Sequence, residues 1–172
     1  MKKLLLDSCI YGEMVVDPEL VSIQKAYHQN EFDFVYGMHL IRKELRNTGK
    51  NKRQGNRNLR IFLLSLYDQF VGTRNLHVDD QDLLRIAQEY YQQYHQLGGG
   101  LSLHELLYDY MIVACAARKE MDLVVSNDHA TMLSDLSLKS YALGNKTLKL
   151  RNPDFINYSQ FKSLLLKGPG GD

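Results

Sequence analysis

Acidic residues follow two short apolar segments of the sequence. Asp7 comes directly after three leucines, and Asp128 comes shortly after the apolar residues 123–125. If both segments are strands of one parallel sheet, their carboxyl ends open onto the crevice in which such sheets bind ligands. We therefore expect both carboxylates to face a binding site instead of the core.

Three further acids stand where helices are expected. Glu105 and Asp109 are spaced i, i+4 on one helix face, and Glu44 is the single acid between Arg42 and Arg60. Clustered carboxylates repel one another, which raises their pKa values unless a cation compensates. Oxygen ligands without cysteine or paired histidine suit Mg²⁺ or Mn²⁺ better than Zn²⁺, and such an ion can activate water for attack on a phosphodiester.

Each of these acids also has an ordinary structural interpretation. Asp7 could cap the turn after its strand, Asp109 could complement the dipole of its helix, and Asp128 could cap the helix that follows. Glu44 could pair with a neighbouring cation in solvent. Glu105 matches the last position of a capping box, S-x-x-E. Spacing alone does not decide between these interpretations and a metal site.

Positive charge is concentrated in one segment. Residues 42–60 hold eight Lys or Arg and one acid, a net charge of +7, so the total of +1 leaves −6 on the rest of the chain. Such a segment is either a solvated loop or a contact for the phosphates of RNA. The candidate RNA-binding residues are Arg42, Lys43, Arg46, Lys50, Lys52 and Arg53. Tyrosines such as Tyr108 could stack on bases, although a tyrosine stripe more often belongs to a core or a dimer interface.

Short apolar segments alternate with helical patterns along the chain. Strands are expected at 4–6, 32–36, 75–78, 123–125 and 147–150. Three helices have a recognisable start: one from Asp17 as N-cap, with Pro18 in the first helical position, to about 28, one from Asp79 or Asp80 to about 96, and one from a capping box of Ser102 and Glu105 to about 120. Further helices are expected at 39–47, 59–70, 130–136 and 159–166, and a loop is expected at 49–58. The alternation indicates an α/β fold with a mostly parallel sheet between helical layers.

Length and composition fit one globular domain. Of the 172 residues, 44% are hydrophobic and 24% are charged, which excludes a chain disordered throughout. We expect one domain over residues 1–166 and a disordered tail at 167–172. No apolar run could span a bilayer, and the N-terminal run is too short for a signal peptide, so a cytoplasmic location is expected. Cys9 and Cys115 lack zinc-site spacing and should stay reduced.

Four segments together resemble the PIN domain family, the VapC-like ribonucleases. Residues 4–10 (LLLDSCI) resemble the family's first-strand motif, and residues 39–45 (HLIRKEL) resemble its first acidic helix. Residues 109–116 (DYMIVACA), followed by 124–128 (VVSND), resemble its third and fourth acidic motifs. The order and spacing agree, and the resemblance extends over residues 3–160.

This resemblance implies a ribonuclease dependent on Mg²⁺ or Mn²⁺, on an α/β/α sandwich with a four- or five-stranded sheet. The implied catalytic and metal-binding residues are Asp7 as the central ligand, with Glu44, Asp109 and Asp128. Ser126 resembles a Ser or Thr that supports the site by hydrogen bonding, and Asn127 and Glu105 are further supporting candidates. The segment between the third and fourth motifs is about one residue longer than is common, so Asn127 and Asp128 both remain candidates for the fourth position.

The resemblance also implies partners. RNA would be the substrate, and the most familiar role in the family is the toxin of a toxin–antitoxin pair, which implies an antitoxin protein and a homodimer. The alternative is a catalytically inactive PIN-like module that binds RNA or serves assembly. A metal-dependent phosphatase of small molecules on a similar sheet is a more distant alternative.

Overall fold

A computed structural model describes residues 1–30 and 33–168 of the chain. Strands and helices alternate through most of this part. In chain order the elements are β1 (Lys2–Leu6), α1 (Ser8–Val16), α2 (Leu20–Gln29), β2 (Asp33–Tyr36), α3 (His39–Arg46), β3 (Arg53–Gln54), β4 (Arg57–Asn58), α4 (Leu59–Val71), α5 (Asp80–Gln96), α6 (Leu103–Arg118), β5 (Leu123–Val125), α7 (Asp135–Leu148), β6 (Asp154–Ile156) and α8 (Tyr158–Lys167).

Four strands form a parallel central sheet in the order β2-β1-β5-β6. Leu6 of β1 is paired with Val125 of β5, and Val125 is paired in turn with Ile156 of β6. The chain builds outward from β1 to β2 on one side and from β5 to β6 on the other. The strand order therefore reverses between β1 and β5, which is the position where open α/β sheets bind ligands.

Helices cover both faces of this sheet. The successive residues Leu4, Leu5 and Leu6 are all buried, and neighbouring residues of a strand point to opposite faces. One helical layer includes α1, α2, α4 and α8, and the other includes α5, α6 and α7, with α3 in contact with both α4 and α6. The predicted three-layer α/β fold with a parallel four-stranded sheet is confirmed.

Several predicted elements agree closely with the structure. The strand at 123–125 and the helix ending at 96 have the predicted bounds, and Asp79 accepts a hydrogen bond from Gln81 N as the N-cap of α5. The Ser102–Glu105 capping box is present at the start of α6. Residue 32 of the predicted second strand and the end of the predicted tail at 169–172 lie outside the described residues.

The prediction for the segment after β1 is wrong. Helix α1 begins at Ser8, where no helix was expected, and Asp17 is its C-cap instead of the N-cap of the next helix. The Asp17 carboxylate accepts from Tyr158 OH at 2.7 Å and pairs with Lys162 of α8 at 2.9 Å. Pro18 lies in the turn before α2, which begins at Leu20. A long-range contact with α8 thus holds a residue whose local sequence suggested a helix start.

Four further predictions of secondary structure need correction. The expected loop at 49–58 contains a small antiparallel hairpin of β3 and β4. The expected strand at 75–78 is reduced to one isolated bridge between Asn75 and Gly37. The expected helix at 130–136 is replaced by turns at 129–133, with α7 beginning at Asp135. The expected strand at 147–150 is also wrong, because α7 continues to Leu148 and Lys149 is its C-cap, so the last strand of the sheet is β6.

Gly37 fixes the connection from β2 to α3. Its N–H donates to Arg74 O at 3.0 Å, and its carbonyl accepts from Leu76 N at 2.7 Å. A Cβ at this position would overlap the ring of Tyr67. Only glycine therefore lets the chain pass this close to α4 before it turns into α3.

No helix within residues 1–30 and 33–168 is long and apolar enough to cross a membrane.

Candidate active site

Asp7 is held at the end of β1 in the crevice beside β5. Its backbone N–H donates to Val125 O at 2.9 Å, and its side chain is only 5% exposed. One carboxylate oxygen accepts from Ser8 N at 2.7 Å, which caps α1, and the other accepts from the Ser126 hydroxyl at 2.8 Å. Asp7 is thus a helix cap and also the buried acid at the strand-order reversal.

Ser126 connects the ends of the two central strands. Its fully buried hydroxyl donates to Asp7 Oδ2 and accepts from Asp128 N at 3.0 Å. The thiol of Cys9 lies 3.3 Å from Asp7 Oδ2 and 3.6 Å from the Ser126 hydroxyl. Because each of these groups has a polar partner, the orientation of the Asp7 carboxylate is fixed by both strand ends.

Thr131 joins two of the other acids. Its hydroxyl oxygen lies 2.5 Å from Asp109 Oδ2 and 2.5 Å from Asp128 Oδ2. The other oxygen of Asp128 accepts from the backbone N–H groups of Ala130 and Thr131, each at 3.0 Å. A hydroxyl has one proton to donate, so Thr131 donates to one of the two carboxylates at a time and holds both within its reach.

Glu44 approaches the same region from α3. It is exposed and lies beside Tyr108 of α6, whose hydroxyl donates to Leu40 O at 2.8 Å. Burial, together with the neighbouring Glu44 carboxylate, raises the pKa of Tyr108 above its ordinary value. The bond between Tyr108 and α3 thus places Glu44 against the helix that bears Asp109.

Electrostatic coupling shows that the four acids share one region. Burial is the main cause that raises the pKa of Asp109 to about 7, and the negative charges of Asp7, Asp128 and Glu44 add to it. Burial also raises the pKa of Asp7, and Glu44 contributes in the same direction, whereas the hydrogen bonds from Ser126, Cys9 and Ser8 oppose the rise. Like charges are therefore held close together here, at a cost that a cation would relieve.

These acids do not form a ready-made metal site. Among residues 1–30 and 33–168, no group of three or more His, Cys, Asp or Glu side chains is arranged so that it could hold a metal ion. The chemistry of the donors fits Mg²⁺ or Mn²⁺ nonetheless, because all four are carboxylates, and burial together with their mutual repulsion raises the pKa values of Asp7 and Asp109. A cation shared by these side chains would replace that repulsion by attraction.

The structure separates Asn127 and Glu105 from this group of acids. Asn127 Oδ1 accepts from Tyr158 N at 2.9 Å, so its side chain is directed to the start of α8. Glu105 is exposed, and its carboxylate accepts from the N–H and hydroxyl of Ser102 at 2.8 and 2.9 Å. Both supporting candidates therefore have structural partners away from Asp7.

The candidate RNA-binding residues lie on α3 and in the loop and hairpin that follow it. Lys43 and Arg46 are exposed in the last turn of α3, and Arg42 forms a long ion pair with Asp68 at 3.5 Å. In the loop, Lys50, Lys52 and Arg53 are exposed, and the Arg53 guanidinium donates to Asn56 O at 2.7 Å. Arg42, Lys43 and Arg46 thus lie on the helix that bears Glu44, and the other three cations follow that helix in the chain.

Sequence reasoning missed Thr131. Nothing in the sequence around Thr131 identifies it as a partner of Asp109, which lies 22 residues earlier in the chain. A weak signal was present, because an Asp side chain often accepts the backbone N–H groups of the residues just after it, which here belong to Ala130 and Thr131.

Comparison with known proteins supports the fold. No protein-family model matches the sequence, and no curated protein matches it. A chain in the crystal structure of VapBC2 from Rickettsia felis bound to promoter DNA matches with a TM-score of 0.56 and 10% identity, over 90% of this chain and 98% of that chain. A chain of FitAB bound to the IR36 DNA fragment matches with a TM-score of 0.56 and 16% identity, over 90% and 94%. A chain of VapBC-1 from nontypeable Haemophilus influenzae matches with a TM-score of 0.55 and 12% identity, over 91% and 98%.

These likenesses extend over nearly the full length of each chain, at low sequence identity. The fold that the resemblance implied is therefore confirmed as the fold shared with chains of these VapBC and FitAB structures.

Proposed function

We propose that the protein is an endoribonuclease that depends on Mg²⁺ or Mn²⁺. The observation that supports this most strongly is the coupling of Asp7, Glu44, Asp109 and Asp128 at the strand-order reversal of a PIN-like fold. A divalent cation bound there supplies water activation and neutralises charge on a phosphodiester. The VapC and FitB toxins of the similar structures, which have PIN domains, are consistent with this chemistry.

Each acid has a distinct means of being positioned for this role. Asp7 would be the central ligand, because Ser126 and Ser8 fix its carboxylate between the two strands. Thr131 would keep Asp109 and Asp128 together, so that both carboxylates would turn toward one cation. Glu44 would complete the set from α3.

RNA is the proposed substrate because cations adjoin the acids. Lys43 and Glu44 line the same cleft, so a phosphate beside Lys43 would lie close to the acids. The further cations Arg42, Arg46, Lys50, Lys52 and Arg53 would hold the backbone on either side. This arrangement separates a region that binds phosphates from the acidic region that cleaves them.

A toxin role with a protein partner is the second part of the proposal. The similar structures are the complexes VapBC2, FitAB and VapBC-1, two of them bound to DNA. By analogy, this chain would pair with an antitoxin protein and form a homodimer.

One experiment separates the nuclease from the inactive module. Labelled RNA is incubated with the protein in Mn²⁺, in EDTA, and with the Asp7→Asn variant in Mn²⁺. We expect cleavage only by the unchanged protein in Mn²⁺. RNA binding without cleavage in any divalent metal would support the inactive module, and release of phosphate from small esters with RNA intact would support a phosphatase.

A further inference from the structure

The cleft that Lys43 and Glu44 share has room for more than a phosphate. It lies between α3 and α6 and has a volume of about 430 Å³. Its lining residues are Leu40, Lys43, Glu44, Asn47 and Tyr108. The volume falls within the range of small-molecule sites, and the lining combines an apolar side chain and an aromatic ring with a few polar groups.

The sequence of α3 places four of these residues on one face. Leu40, Lys43, Glu44 and Asn47 follow the i, i+3, i+4, i+7 spacing of a helix. The hydrogen bond from Tyr108 OH to Leu40 O fixes the opposite wall against this face. The cleft is therefore defined by two helices that are tied together.

A second, cationic cleft adjoins the first. It has a volume of about 470 Å³ and is lined by His39, Arg42, Lys43, Arg46 and Asn47. Lys43 and Asn47 line both clefts. A continuous surface thus runs from the acids, through the first cleft, to a group of cations.

Charge distinguishes what each cleft can hold. Glu44 lines the first cleft and is coupled to Asp7 and Asp109, so an anionic phosphate is disfavoured at the Glu44 end and favoured beside Lys43, which lines both clefts. An uncharged base meets no such repulsion, and it gains an aromatic surface from Tyr108 and an amide from Asn47. Arg42, Lys43 and Arg46 in the second cleft suit the backbone phosphates.

We propose that the first cleft binds one unpaired nucleobase of RNA, next to the scissile phosphate. This proposal rests on the proposed ribonuclease function and adds the cleft that holds a base beside the scissile phosphate. A base in a duplex is stacked and paired, so it could enter the cleft only after being flipped out. Asn47 and Tyr108 are then residues that determine specificity.

Binding without catalysis tests the proposal directly. Fluorescent eight-nucleotide oligo(U), oligo(A) and oligo(C), and a duplex RNA of equal length, are titrated in EDTA while anisotropy is measured. We expect Tyr108→Leu to weaken binding of the single strands about tenfold, as loss of one base stack does, and to leave duplex binding unchanged. We expect Asn47→Ala to reduce the differences in affinity among the three oligonucleotides. Equal losses for single strands and duplex, or no loss in either variant, would overturn the proposal.

Matched variants separate base binding from structure. Tyr108→Phe keeps the ring and loses the bond to Leu40 O, so it should bind single strands within about twofold of the unchanged protein. If it binds as weakly as Tyr108→Leu, the residue acts through the hydroxyl and the proposed base contact is wrong. Gln88→Ala and Lys139→Ala, which change exposed residues of α5 and α7, should bind as the unchanged protein does.

A cleavage assay in Mn²⁺ distinguishes failure of the base-site proposal from failure of the nuclease assignment. If the protein cleaves RNA but the Tyr108 and Asn47 variants bind and cleave normally, the base site is wrong and the nuclease assignment stands. If no metal supports cleavage but both variants lose their selective binding as predicted, the base site stands and the nuclease assignment is wrong.

Discussion

The hydroxyl oxygen of Thr131 lies 2.5 Å from Asp109 Oδ2. The same oxygen lies equally close to a carboxylate oxygen of Asp128, so a single hydroxyl joins two acids from different parts of the chain. Burial and the surrounding carboxylates raise the pKa of Asp109 to about 7, and the Thr131 hydroxyl opposes this rise. Thr131 therefore helps to keep Asp109 ionised near neutral pH, the state in which a carboxylate can bind a cation.

Replacing Thr131 by valine should raise the pKa of Asp109. The variant keeps the side-chain shape but removes the hydroxyl that stabilises the ionised form. Titration of the Asp109 carboxyl by carbon-13 NMR in metal-free protein should show a midpoint above about 7. Thr147→Val, a change at an exposed residue of α7, should leave that midpoint in place. An unchanged midpoint in Thr131→Val would show that the short contact does not hold in solution.

Asp109 should make the metal-free protein less stable as pH rises. The pKa of this group is raised from 3.8 to about 7 on folding, so between these values the folded state holds a proton that the unfolded chain has released. The free energy of unfolding therefore falls as pH rises through this window. Asp109→Asn removes this contribution, which amounts to at most roughly 4 kcal/mol across the window.

Urea unfolding in EDTA at pH 5 and pH 7.5 measures this effect. The variant should gain stability relative to the unchanged protein as pH rises. Addition of Mn²⁺ should reduce the pH dependence of the unchanged protein, because the cation stabilises the ionised carboxylate. Parallel pH profiles for the two proteins in EDTA would contradict a raised pKa at Asp109.

Asp128, and not Asn127, should be the fourth functional acid. Asp128 shares Thr131 with Asp109, whereas the Asn127 side chain accepts from Tyr158 N. Asp128→Asn should lower the rate of Mn²⁺-dependent RNA cleavage at least about tenfold. Asn127→Ala should lower the free energy of unfolding by about 1 kcal/mol and leave cleavage nearly unchanged. The reverse pattern would assign the fourth position to Asn127.

The cations of the loop between α3 and β3 should contribute to RNA affinity through counterion release. Lys50 and Lys52 are exposed, and replacing both by alanine removes up to two phosphate contacts. The slope of log affinity against log salt concentration for single-stranded RNA should then become shallower by about 1.4. Lys139→Ala on α7 should leave the slope unchanged. Affinity that does not respond to the double substitution would show that the segment is only a solvated loop.

The central part of the fold was predictable because local and tertiary preferences agree there. The apolar strand at 123–125 and the helix capped by Asp79 bury the faces that their patterns indicate. Asp17 shows where such reasoning fails, since a Pro follows it as in many helix starts, yet its carboxylate bonds to Tyr158 and Lys162 of α8. A pairing over more than 140 residues leaves no local trace in the sequence.

The candidate site was predictable to a similar degree and for similar reasons. Acids at the ends of apolar strands must emerge at one edge of a parallel sheet, so the positions of Asp7 and Asp128 followed from pattern and topology. The roles of Thr131 and Tyr108 depend on how α6 packs against its neighbours, which spacing along the chain does not specify.

Diffraction from a crystal soaked in Mn²⁺ tests the central claim most directly. We predict an anomalous peak in contact with Asp7 and Asp109, bordered by Glu44 and Asp128. This peak should disappear in the Asp7→Asn variant. A crystal that shows no peak among these carboxylates at saturating Mn²⁺, or shows one only elsewhere, would contradict a metal-dependent active site at the strand-order reversal.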